Sequence, residues 1–161
     1  MKQKELRVYN LLFPVWMLIW WPSVLWLGLI PFNYALDALV LHHSLPAAMD
    51  RRAFRRHHAW KICLAGFAGD FLGSALLFAV YALSSSRKLT YDIAYQPFAS
   101  PGALAVTLAA VVLAGAAIFA LDRWILCRAG LGAPEALRAA RNLALLTAPY
   151  LFFFPSGLLY R

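Results

Sequence analysis

The sequence predicts an all-α integral membrane protein, a bundle of five transmembrane helices in a single domain covering residues 1–161. Three observations predict it. The chain is 63% hydrophobic and 14% charged, against roughly 25% charged for a soluble domain. Four long runs, residues 8–36, 71–86, 93–121 and 142–160, carry no charged side chain. The lysines and arginines behind the net charge of +8 gather in short segments between those runs. Such placement fits a topology signal and contact with anionic lipid headgroups at the inner face, and it does not fit a nucleic-acid surface.

The first stretch, residues 8–36, holds three prolines and four tryptophans. A run of ~20 apolar residues crosses a bilayer, so this stretch is long for one span and short for two. It is also too long for a signal peptide, and no Ala-x-Ala-like cleavage site follows it. Read as a hairpin turning at Trp21-Pro22-Ser23, it gives spans over 5–21 and 23–45. The remaining spans then fall at 61–83, 103–124 and 142–159. Twelve basic residues lie inside and three (Arg87, Lys88, Arg161) outside, as the positive-inside rule prefers. The amino terminus is then cytoplasmic, and the protein is a multi-pass protein of the plasma (inner) membrane. The alternative is four spans with one long first helix, which must absorb Pro22 and Pro31 in its interior.

Each connection has its own expectation. Ser44 and Pro46 read as the start of a short basic helix over 44–60, or of the third span extended into the cytoplasm. Residues 84–102 read as turns with no strong element. Gly130-Leu-Gly-Ala-Pro breaks a helix and restarts it at Pro134. Trp20, Trp21 and Trp26 are expected near the outer interface, Trp60 and Trp124 near the inner one. Gly66, Gly69 and Gly73 form a small-residue face, answered by Ala105, Ala109, Ala110, Ala114 and Ala117. It suits close helix packing within the chain, with a homodimer or a partner membrane subunit as the alternatives.

Intramembrane carboxylates are costly and mark sites. Asp37 and Asp70 fall at about the same depth on consecutive antiparallel helices, ~12 and ~14 Å above the inner end by helical rise. Asn33 and Ser74 lie one turn away from them on the same faces. No Lys or Arg lies at that depth. Two close carboxylates in a low dielectric cannot both ionise, so the pair is expected to hold a proton or a cation. The competing reading has both acids only hydrogen-bonded between helices. The pairs His42-His43 and His57-His58, with Cys63 and Cys127, match no zinc spacing, so neither metal nor cofactor is expected. The usual catalytic motifs are absent, which argues against an enzyme.

Four segments together, Phe-Pro-x-Trp from Phe13, Ile-Pro-x-Asn-Tyr-x-x-Asp from Ile30, Gly-x-x-Gly-Asp-Phe-x-Gly from Gly66 and Thr-Ala-Pro-Tyr-Leu-Phe-Phe-x-Pro from Thr147, are similar to a family of small uncharacterised polytopic bacterial inner-membrane proteins. The resemblance implies location and carries no activity. The expected function is a small transporter or ion- or proton-conducting protein using Asp37, Asp70, Asn33 and Ser74. The alternatives are a non-catalytic accessory or assembly membrane subunit and, third, an enzyme acting on lipid.

Overall fold

A computed structural model of the chain describes Trp16, Met17, Trp20, Val24 and residues 26–160. Among these residues there are five α-helices and no strand: α1 (Trp26–Ser44), α2 (Arg51–Leu83), α3 (Arg87–Tyr95), α4 (Pro101–Arg128) and α5 (Ala133–Thr147). Two 3-10 turns follow, at Tyr150–Phe153 and Ser156–Tyr160. Helices α2 and α4 are long and apolar enough to cross a membrane.

Local chemistry sets most of the boundaries. The start of α2 is capped by Asp50, whose carboxylate accepts from the backbone N–H of Arg52 (3.1 Å) and Ala53 (3.0 Å). Ser44, expected as the cap, instead ends α1, and its hydroxyl accepts from Asn142 Nδ2 at 3.1 Å. No separate short helix forms over 44–60; α2 runs unbroken into its basic amino-terminal part. Residues 84–102, expected as turns, contain α3, because Ser86 caps the Leu89 N–H at 3.3 Å and starts a helix. Ser100 and Pro101 open α4. Gly130 closes it at φ 90°, the left-handed position that glycine takes without steric cost. The helix expected over 142–159 is replaced by α5, which starts with Pro134 in its first turn and stops at Thr147. Pro149 explains the stop. It forces Ala148 into an extended conformation (φ −55°, ψ 152°) and cannot donate to the preceding turn.

Replacing Asp50 by Ala is expected to cost about 1 kcal/mol through loss of two capping bonds. Thermal unfolding of the purified chain measures it, and Asp50→Asn should recover most of the loss.

Helices α1, α2, α4 and α5 form a ring in which each packs on the next and α5 closes back onto α1. The tightest seam joins α2 to α4. A Cβ built on Gly69 would lie 2.9 Å from the Ala114 carbonyl oxygen, and one on Gly73 would lie 2.8 Å from that of Ala110. The small-residue face therefore brings two helix backbones together within one chain. The same pairs fix α2 and α4 as antiparallel. Neighbours in the ring alternate in direction, so the end of α1, the start of α2, the end of α4 and the start of α5 share one end of the bundle. Arg51, Arg52, Arg55, Arg56, Lys61, Arg123, Arg128, Arg138 and Arg141 all belong to that end. Among the described residues only Arg87 and Lys88, on α3, carry positive charge at the other.

The expected span over 5–21 and its turn at 21–23 lie almost wholly outside the described residues. Three tryptophans of the stretch are described. Trp16 meets Tyr81 (ring centroids 6.2 Å apart) and donates Nε1–H to the Ile93 carbonyl at 3.3 Å. Trp20 packs on Phe71 at 4.4 Å and Phe78 at 5.6 Å. Trp26 stacks on Phe67 at 5.8 Å. These partners lie successively nearer the basic end of α2, and α1 runs on toward that end. Trp20 and Trp26 are thus drawn onto the aromatic stripe of α2, Phe67, Phe71 and Phe78, instead of sitting together at the outer end.

Candidate functional site

The α2–α4 seam sets the level of the acids. Ile118 packs on Gly69. Asp122 lies one helical turn beyond Ile118, which places it level with the α2 turn before Gly69, Cys63 to Gly66. The Asp37 carboxylate of α1 reaches the same turn, since a Cβ on Gly66 would lie 3.6 Å from Asp37 Oδ2. Asp37 is within electrostatic reach of Asp70 and of Asp122. Thr147, at the end of α5, and Cys63 supply the hydrogen-bond donors that face Asp37. The Thr147 hydroxyl also has the Leu143 carbonyl at 2.9 Å, so it has two acceptors to choose between. Every helix of the ring contributes one or more side chains to this layer.

Its electrostatics are lopsided. Asp37 is 4% exposed and Asp122 0%. Both oxygens of Asp122 and Oδ1 of Asp70 are buried without a hydrogen-bond partner. Among the described residues, no Lys or Arg is among the groups that act on the three acids. A buried carboxylate is tolerated when it is paired, hydrogen-bonded or neutral. Two buried carboxylates and the half-buried Asp70, with few donors and no cation among the described residues, therefore leave a standing demand for protons or a bound cation.

Apolar clusters seal the layer on both sides. Toward the basic end lie Leu41, Ile62, Leu126, Ala140 and Leu143. Toward the other end lie Leu77, Ile93, Val111 and Phe152. Phe152 comes from the first 3-10 turn, and its ring edge would be 2.9 Å from a Cβ on Gly73. The break at Pro149 is what directs this aromatic ring back into the bundle.

Of the residues singled out from sequence, Asp37 and Asp70 are brought together. Ser74 is fully buried one turn past Asp70, but its hydroxyl donates to the Phe71 carbonyl of its own helix at 2.9 Å. Asn33 is half-buried one turn before Asp37, and among the described residues no hydrogen bond joins it to the layer. Asp122, Thr147 and the role of Cys63 escaped the sequence reading. Asp122 adjoins Arg123 at a helix end and looks interfacial there. The signal that finds it is periodicity: it continues the buried face Ala103, Thr107, Ala110, Ala114, Ile118 in steps of three and four. Among the described residues no group of three or more His, Cys, Asp or Glu side chains is placed to hold one metal ion. Cys63 is buried, Cys127 exposed, and both are free thiols.

No family model, no curated protein and no solved structure matches this chain.

Proposed function

We propose that this chain is a multi-pass protein of the bacterial inner membrane that binds and moves protons or a small cation through the layer of Asp37, Asp70 and Asp122. The observation that carries the reading is Asp122, wholly buried with both oxygens unpartnered and within electrostatic reach of Asp37. A group that only glued helices would have its oxygens satisfied by donors, because an unmet buried acceptor costs about 1–3 kcal/mol.

The membrane setting is supported by an inside-out distribution of size. Small residues face inward on α4, while Leu108, Val112 and Leu113 face outward, Val112 at 62% exposure. In the most apolar windows of α2 and α4 only 39% and 28% of the residues are buried. The core helix of a soluble domain would have most of them covered. At 1.5 Å per residue the 33 residues of α2 extend ~50 Å, some 20 Å beyond a hydrocarbon core of ~30 Å. The surplus is its basic arm. Counting residues along the seam puts Trp60 and Trp124 at one level, each with a cation over its ring: Lys61 Nζ at 5.6 Å and Arg128 at 4.2 Å. That is the side-chain chemistry of a membrane interface, and with it the basic end faces the cytoplasm. Four crossings, by α1, α2, α4 and α5 with its 3-10 turns, account for the described helices of the ring.

The test is the melting temperature of the purified chain across pH and across added Na⁺ and K⁺. The wild type is expected to respond to pH or to one of the ions. Asp70→Asn, which keeps shape and removes the charge, is expected to fold and to lose much of that response. A wild type whose stability ignores both pH and ions would reduce the acids to packing elements and sink the transport reading.

A further inference from the structure

The sealed layer has a side entrance. Between α1 and α2 lies a groove of about 540 Å³ whose walls include Trp26, Tyr34, Trp60, Phe67 and Leu64, with Cys63 among its lining residues. Pockets of this size hold drug-sized molecules. Cys63 belongs to both places: it lines the groove and faces Asp37 in the carboxylate layer. Tyr34 stands one turn before Asp37 on α1. The groove lies on the side of the bundle, whereas along the bundle axis apolar clusters stand on either side of the layer.

We infer that the groove binds a lipophilic organic cation, such as an aromatic phosphonium or a quaternary ammonium ion. Two properties select that class. The walls present four aromatic rings, whose faces attract cations, and one of them, Trp60, already has the Lys61 ammonium over it at 5.6 Å. Behind the wall, across Cys63, stands Asp37, itself within electrostatic reach of Asp70 and Asp122. A lipophilic cation supplies both demands, apolar surface to the groove and positive charge to the layer. An anionic lipid would meet the layer with the wrong sign, and an uncharged chain would leave the acids as they are. The inference rests on the carboxylate reading above and names the cargo. Cation and protons then compete for the same carboxylates, so bound cation displaces protons into solution.

The test is calorimetric titration of the full chain in a neutral detergent with tetraphenylphosphonium, beside the uncharged triphenylphosphine oxide. Saturable binding is expected for the cation alone, accompanied by proton release, seen as an observed heat that scales with the buffer's ionisation enthalpy. Trp60→Ala and Tyr34→Ala, both on the exposed wall, are expected to weaken it by about tenfold each, and Tyr34→Phe to bind like the wild type. Asp37→Asn is expected to abolish proton release. Equal binding of the two compounds, or cation binding indifferent to the aromatic and Asp37 variants, would overturn the inference. Absence of cation binding, in a protein whose melting still follows pH or Na⁺, would overturn the groove alone. Absence of every response would overturn both readings together.

Discussion

Replacing Asp122 by Leu is expected to make the protein more stable and inactive. Leucine keeps aspartate's branched four-atom skeleton, with methyls bulkier than the oxygens they replace, and removes two buried acceptors that have no partner. Relief of such unmet groups is worth about 1–3 kcal/mol. The same change removes one of the three carboxylates that demand protons or a cation, so the response of the melting temperature to pH and ions should flatten. Any transport assay in vesicles should fall to background. Stability gained where activity is lost is the pattern of a functional site that the fold tolerates at a cost. The opposite pattern, destabilisation with intact ion response, would identify Asp122 as a structural acid. Asp122→Asn separates the contributions further. It keeps the shape and hydrogen-bonding capacity, should change stability little, and should still lose the response.

Replacing Gly73 by Leu is expected to abolish the folded protein. The site has Ala110 backbone oxygen at 2.8 Å, Phe152 at 2.9 Å and the Ala114 Cβ at 3.0 Å from where a first side-chain carbon would go. The carbonyl cannot move without shifting α4. Overpacking of this kind costs about 1–3 kcal/mol and sometimes more, a large share of the ~5–15 kcal/mol that holds a domain together. Here three more carbons must follow the first, so the upper end applies. Yield of monodisperse protein and its unfolding midpoint measure the effect. Gly66→Ala is the control: its new methyl would find Asp37 Oδ2 at an ordinary 3.6 Å, and the fold should survive. If Gly73→Leu behaved like Gly66→Ala, the α2–α4 seam would not be the closest approach in the bundle.

Much of this arrangement could be read from the chain, for identifiable reasons. Glycines at i and i+4 opposite a run of alanines have few uses besides close helix contact, so the seam of Gly69 and Gly73 against Ala110 and Ala114 was legible. Asp37 and Asp70 stood out because each interrupts an apolar run. Asp122 did not, because Arg123 beside it made the pair look like a helix end in water. Only the phase of the buried face separates the two, and phase is lost when a segment is judged by its mean hydropathy. Local capping was misread for a different reason. Ser44 and Asp50 both have the chemistry of a cap, and what decides between them is Asn142, which is nearly a hundred residues away and engages the Ser44 hydroxyl. The count of basic residues favours a hairpin near Pro22, whose turn lies outside the described residues; what such a count does not register is the aromatic stripe of α2 against which Trp20 and Trp26 pack.

The backbone contact between α2 and α4 has a thermal consequence. Side chains that large residues would occupy are missing along that line, so the two helices meet main chain to main chain. In a lipid surrounding, such a contact gains little from releasing water, because both faces leave hydrocarbon that is as apolar as they are. What remains is dispersion summed over many close atom pairs. That attraction is enthalpic and nearly indifferent to temperature, while the heat capacity that bends the stability curves of water-soluble domains comes from newly wetted apolar surface. The cohesion of this bundle should therefore decline with heating along a nearly straight line, without the cold-side weakness of a core held together by water.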